Sequence, residues 1–224
     1  MNRRIIWSAI GTLILTLAAV AQPMRPASQL GGTVLPAGVS PAPAGSTVPP
    51  EPQPVALVME NQFEKKVELA DHRGAVVILV YGDRKGTDAC RKLGEQLHVT
   101  WHPDAAGQLP AKAQAVPVVA LAGLRMGQAS PDVRVIPVAC CGKVPGPIRG
   151  AIRSQIAKGS PDVPVWLDFV DAMKASFTLT AGEPNLVVFD AEGRLRMKIN
   201  GTPDAAALER LMKSVQGLRA EAVK

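Results

Sequence analysis

Gly74-Ala-Val-Val-Ile-Leu-Val-Tyr81, then Gly82-Asp-Arg-Lys-Gly86, then Thr87-Asp-Ala-Cys90-Arg-Lys-Leu-Gly-Glu-Gln-Leu-His98, is the stretch on which the rest of the chain is read. Ala75 to Tyr81 is apolar without alternation, which suits a strand covered on both faces, as in a parallel sheet. The glycine-bounded loop turns the chain, and Thr87 or Asp88 is placed to cap a helix. The apolar side of that helix reads Cys90, Leu93, Leu97, so a cysteine falls in its first turn. Strand, loop and capped helix with an early cysteine is a redox-site layout.

Towards the C-terminus the pattern is clearest. Pro184-Asn-Leu-Val-Val-Phe-Asp190, a turn at Ala191-Glu-Gly193 and the alternating Arg194-Leu-Arg-Met-Lys-Ile199 predict a hairpin with one covered face. Thr202-Pro-Asp204 then opens an amphipathic helix carrying Leu208, Leu211, Met212 and Val215. In the middle, Ser130-Pro-Asp-Val133 and Ser160-Pro-Asp-Val163 each hand the chain into an apolar run, Arg134 to Ala139 and Pro164 to Leu167. Between those runs Ile148, Ile152 and Ile156 recur at helical spacing, and a strand, helix, strand of this length implies a crossover between parallel strands. A further helix is expected over 168–177. Upstream, 55–60 and 66–69 read as two short strands around Asn61-Gln62. Residues 99–130 lack a period, and Val116 to Leu121 reads either as a strand or as part of a packed insertion.

The N-terminal quarter differs in kind. Arg3-Arg4, the apolar 5–20 and the small triplet Ala19-Val-Ala21 form a secretory signal cut after Ala21, which predicts an exported, periplasmic or extracellular protein with no stable membrane span. Residues 22–54 hold nine prolines and almost nothing large, so they read as a disordered tether to a folded domain over 55–219. Loss of Arg3 and Arg4 leaves 23 basic residues against 19 acidic ones, a mild +4. Aromatics make up 4%, and the basic residues come as scattered pairs amid acids, so no nucleic-acid surface is expected. Three cysteines in an oxidising compartment leave at least one thiol unpaired within the chain.

This order of elements resembles the thioredoxin-like superfamily. Val76 to Leu93 resembles its strand and active helix; Val163-Pro-Val-Trp-Leu-Asp168 resembles the segment before its second helix. Pro184 to Gly193 resembles the proline, strand and Asp-x-x-Gly turn of the exported redoxin branch (AhpC/TSA and TlpA-like). The resemblance implies an α/β fold: a central mixed β-sheet flanked by helices, here with an N-terminal β-hairpin and an insertion. Residues 86–158 are also similar to a periplasmic thioredoxin-like family labelled YtfJ, which lacks the redox pair. The thioredoxin motif is Cys-x-x-Cys, whereas Thr87-Asp-Ala-Cys90 keeps the second position alone and resembles the peroxiredoxin Thr-x-x-Cys. Asp83 stands where peroxiredoxins carry a proline, and no arginine precedes Leu186.

The resemblance implies thiol chemistry on protein thiols, protein disulfides or a small peroxide, with no cofactor. Cys90 would be the nucleophile, Thr87 its companion, and Pro184 would follow a cis bond, with Glu183 an acidic neighbour of the thiol. Cys140 and Cys141 leave the second parallel strand at the edge where catalytic groups gather in such sheets. Their adjacency strains a mutual disulfide, so one of them is expected to pair with Cys90. Three other readings compete. Cys90 packs with Leu93 and Leu97 as a small hydrophobe; the chain is a binding module that lost the redox pair; or Cys140, Cys141, His98 and His102 hold copper or zinc.

Overall fold

The computed structural model describes residues 52–223; the signal segment and nearly all of the tether lie outside the described residues. Seven strands form one sheet in the order β2-β1-β5-β4-β3-β6-β7. They are β1 (Val58–Asn61), β2 (Lys66–Glu68), β3 (Val76–Gly82), β4 (Val133–Cys140), β5 (Trp166–Asp168), β6 (Asn185–Phe189) and β7 (Leu195–Asn200). The helices are α1 (Thr87–Trp101), α2 (Pro110–Ala113), α3 (Gly146–Gly159), α4 (Ala172–Phe177) and α5 (Ala205–Glu221).

The unbroken apolar run becomes the central strand. β3 pairs in parallel with β4, from Val76 opposite Val133 to Gly82 opposite Ala139, and antiparallel with β6. Every residue of β3 is buried, because both faces are covered. Val76, Ile78 and Val80 pack with Leu93, Leu97 and Trp101 of α1 and with Leu211, Val215 and Leu218 of α5. Val77, Leu79 and Tyr81 face the other way, into Met173 and Phe177 of α4 and into Trp166. Edge strand β7 alternates in burial instead, as its polar-apolar sequence requires. A mixed sheet with β3 parallel to β4, antiparallel to β6, and helices on both faces is the thioredoxin-like fold.

The short N-terminal strands form the expected hairpin, and β1 continues the sheet onto β5. Gln62 is turned inward: its amide nitrogen donates to the carbonyls of Ser160 and Val163, and its amide oxygen accepts from Val165 N–H. One side chain thus satisfies three backbone groups at the approach to β5. Pro137 is tolerated inside β4 because β5 pairs only with Val138 to Cys140.

Residues 99–130 form the insertion alternative, without the strand expected as one possibility at Val116 to Leu121. Buried and half-buried polar side chains fasten it. His98 Nε2 lies 3.1 Å from the Ala113 carbonyl, and the stacked His102 bridges the carbonyls of Val116 and Val133 at 2.9 and 3.0 Å. Arg219 of α5 is fully buried; it donates to the carbonyls of Pro131 and Val119 and to Ser130 Oγ, and stacks over Trp101. This segment is organised by hydrogen bonds to carbonyls rather than by an apolar period.

Candidate functional site

The loop between β3 and α1 is built around one carboxylate. Asp83 Oδ1 accepts from Lys85 N–H at 2.9 Å and Gly86 N–H at 3.2 Å, an Asx-type turn. Its Oδ2 accepts from Gly182 N–H at 2.7 Å, which ties this loop to the one that carries Pro184. Gly86 lies so close that a β-carbon there would come within 3.1 Å of the Glu183 carbonyl carbon. The start of α1 and the Glu183-Pro184 segment therefore adjoin, as the sequence pattern expects.

The details differ from expectation at several points. The residue before α1 is Gly86, and neither Thr87 nor Asp88 supplies a side-chain cap, because Asp83 already holds the turn. Thr87 Oγ1 donates to the Asp83 carbonyl at 3.1 Å rather than serving the thiol. All peptide bonds among the described residues are trans, including the one before Pro184. Glu183 is exposed and its Oε2 accepts from Thr202 N–H at 3.3 Å, so its carboxylate caps the turn into α5.

Cys90 faces the sheet. Its Sγ donates to the Tyr81 carbonyl at 3.6 Å and packs where a β-carbon on Gly82 would collide with it. Burial, reinforced by the Asp83 charge, pushes the thiol up to about 12. Arg91 offers little relief, since its guanidinium is drawn to Asp88 and Glu95 at 3.8 and 3.7 Å. At neutral pH the group is a thiol, the unreactive form.

The other two cysteines part company. Cys140 joins the face of Tyr81, Trp166 and Met173, whereas Cys90 joins the opposite face with Leu93 and Leu97. Of the two pairings expected for Cys90, the one with Cys140 is corrected accordingly: the sheet lies between the two sulfurs. Cys140 Sγ donates to Asp171 Oδ1 at 3.5 Å beside the buried Tyr81 phenol; burial raises both groups. Cys141 packs with Ile156, Val165, Leu167 and Phe169 on the α3 side, and burial together with the Cys140 charge pushes it up to about 12. All three cysteines are free thiols.

The copper or zinc set is dispersed as well. His102 sits at the Val133 end of β4 and Cys140 at the other, roughly 23 Å away along a strand of this length. Among the described residues no three His, Cys, Asp or Glu side chains gather as a metal set.

What the sequence did not reveal is a cavity of about 480 Å³ behind Cys90, between α1 and α3. Its floor is Val80, Val135, Pro137 and Ala139; Ile156, Val163 and Val165 form the far wall. Ala105, Gly107 and Pro110 of the insertion close one end. The α1 side presents Thr87, Cys90, Arg91, Gly94, Glu95 and His98 at spacings of three and four, with Lys92, Gln96 and Val99 beside them. Gly94 on that side was the available signal, a small residue inside an amphipathic helix.

No family model matches the sequence, and no curated protein matches it. Solved structures do resemble it in chain path. The exposed lipoprotein thioredoxin Etrx1 of Streptococcus pneumoniae shares 17% identity over 71% of this chain and 99% of its own, with a TM-score of 0.45. A thioredoxin-like protein of Porphyromonas gingivalis shares 19% over 75% and 93%, at 0.47. A secreted thiol-disulfide isomerase of Corynebacterium glutamicum shares 16% over 75% and 86%, also at 0.47. Identities this low do not carry side-chain roles across.

Proposed function

We propose that this chain is an exported binding module of thioredoxin fold, in which Cys90 lines a ligand site instead of catalysing thiol exchange. One observation carries the reading: Cys90 points its hydrogen into the Tyr81 carbonyl, over Gly82, with a thiol pushed up to about 12. The groups that would activate it are engaged elsewhere, Thr87 with Asp83 and Glu183 with Thr202. Export rests on the signal-like 1–21, and the tether over 22–54 would set the module's reach.

A second reading keeps redox chemistry, with protein thiols or disulfides as partners. Cys90 lines a cavity whose α3 side adjoins Cys141, and this favours that pair over Cys140. In that version Cys90 thiolate attacks a substrate disulfide, a mixed disulfide forms and one substrate thiolate leaves. Cys141 thiolate then attacks Cys90 Sγ, releasing the second substrate thiolate and closing a Cys90–Cys141 disulfide. Alkylation with mass mapping separates the two, run on mature protein before and after reduction across pH 5 to 8. A Cys90 unlabelled in the fold supports the binding module; a Cys90–Cys141 disulfide that labels fast once reduced establishes the exchange reading.

A further inference from the structure

The insertion is fastened to the sheet by an imidazole that no neutral form would let make both of its contacts. His102 follows α1 directly and is 3% exposed. Its Nδ1 faces the Val116 carbonyl at 2.9 Å and its Nε2 faces the Val133 carbonyl at 3.0 Å. A carbonyl oxygen only accepts, so each ring nitrogen has to donate. A neutral imidazole carries one N–H and an imidazolium carries two. The neutral ring would aim a lone pair at one of the two oxygens in a buried site, which leaves that acceptor unsatisfied.

Asp132 supplies the counter-charge. Its Oδ1 lies 3.5 Å from His102 Nε2, while its Oδ2 pairs with Arg134 at 2.8 Å. From α1, His98 stacks on the His102 ring at a centroid distance of 4.6 Å. Burial, with the His102 charge adding to it, holds His98 below the usual histidine range in spite of its contact with the Ala113 carbonyl. The stacked pair therefore carries a single positive charge, on His102. From α5, Arg219 is committed to the carbonyls of Pro131 and Val119 and to the face of Trp101. In the turn before β3, burial and Arg134 hold His72 low against the pull of Asp71 and Asp132. The insertion's own charges, Asp104, Lys112 and Arg125, are exposed.

We propose that His102 is a pH-sensitive clasp, which as an imidazolium ties Val116 of the insertion to Val133 of β4 and on losing a proton lets the insertion go. Asp132 sits on the Nε2 side, so the proton kept by the neutral ring stays at Nε2 and the bond given up is the one from Nδ1 to Val116. The clasp is closed in acid and loosens as pH rises through the histidine range, roughly pH 5 to 8. Ala105, Gly107 and Pro110 of the released segment close one end of the cavity that Cys90 lines. The clasp thus makes that end of the cavity pH-dependent, and it holds for either reading of Cys90.

Two measurements on mature full-length protein test this. Nitrogen NMR with labelled histidine reads the ring, and native-state hydrogen exchange reads the insertion, as the protection of 103–121 relative to β6 after correction for intrinsic rates. At pH 5 the His102 ring should show two N–H groups, and at pH 8 one, on Nε2. Over the same interval the relative protection of 103–121 should fall about tenfold, the value of one hydrogen bond to a charged group. His102→Gln, folded by circular dichroism, should give the same low relative protection at both pH values, whereas His98→Gln should keep the tenfold change. A single N–H on His102 at pH 5, wild-type protection that does not fall by pH 8, or a fall that persists in folded His102→Gln would overturn the inference. Should the glutamine variant not fold, the wild-type ring spectrum and protection decide.

Discussion

Cys90 Sγ donates to the carbonyl oxygen of Tyr81, 3.6 Å away, so the helix-start thiol is satisfied by the end of its own preceding strand. The bond is intrinsic to the strand-loop-helix unit, and Gly82 makes room for it. A thiol at about 12 carries roughly a thousandth of the thiolate that an ordinary cysteine, near 9.0, carries at neutral pH. Iodoacetamide labelling of Cys90 should therefore run about a thousandfold slower than that of a free peptide cysteine at pH 7, and should still be rising at pH 10. Labelling that saturates below pH 8 would show an activated thiol.

The same raised thiol makes a stability prediction. Between the ordinary thiol range and about 12 the unfolded chain ionises at Cys90 while the folded one does not. The stability contribution is thus complete below the unfolded value and declines as pH rises towards the folded one. Denaturation midpoints of the wild type should fall from pH 8 to 10 more steeply than those of Cys90→Ala. Parallel curves would mean that burial does not hold the thiol neutral.

Asp83 serves both structure and charge. Removing its carboxylate in Asp83→Ala strands three amide N–H groups and should cost roughly 1 to 3 kcal/mol in urea denaturation. Asp83→Asn keeps part of the turn while removing the negative charge that helps raise Cys90. It should speed Cys90 labelling while costing less stability than the alanine variant. If Asp83→Asn leaves Cys90 labelling at the wild-type rate, Asp83 acts through the turn alone.

Much of this architecture is legible in the residues, and the exceptions have physical causes. The run from Val76 to Tyr81 declares a doubly covered strand, and the alternation after Arg194 declares an edge strand, because each is a local pattern of apolar side chains. The burial of Cys90 beside Leu93 and Leu97 was available from helical spacing as one of two readings. The insertion was illegible because His98, His102 and Arg219 fasten it through carbonyl oxygens, which leave no trace in hydropathy. Arg219 does give a faint sign: it falls four residues after Val215 and eight after Leu211, on the apolar stripe of α5. The face on which Cys140 emerges depends on β4 register. Cys140 alternates with Val138 and Ile136 toward Tyr81, a phase that only pairing fixes.

Arg219 anchors that insertion to α5. Arg219→Ala leaves the carbonyls of Val119 and Pro131 without their guanidinium donor and empties the space over Trp101; a cost of roughly 3 kcal/mol is expected. The distinguishing readout is local: limited proteolysis should begin within 119–131 while α1 and the sheet stay protected. Uniform degradation would indicate global destabilisation instead of release of the insertion. Arg219→Lys should rescue only partly, since an ammonium cannot span three acceptors with the guanidinium fork.

Asp190 supplies the acid limb. Burial pushes this carboxyl up, but hydrogen bonds from Arg194, from Arg196 and from the N–H groups of Arg194 and Glu192 outweigh it and hold the group below the usual carboxylate range. A depressed folded value means the contribution is present above the unfolded value, near 3.9, and is lost as pH falls through the folded one. Asp190→Asn should therefore cost roughly 2 to 4 kcal/mol across pH 5 to 8, because two partly buried arginines lose the buried carboxylate they share at the turn between β6 and β7 and keep only the more exposed Glu192 and Glu221. Below pH 4 the wild type progressively protonates and the gap between the two proteins should narrow. A gap of constant size down to pH 2 would mean that the asparagine acts through turn geometry and not through the lost charge.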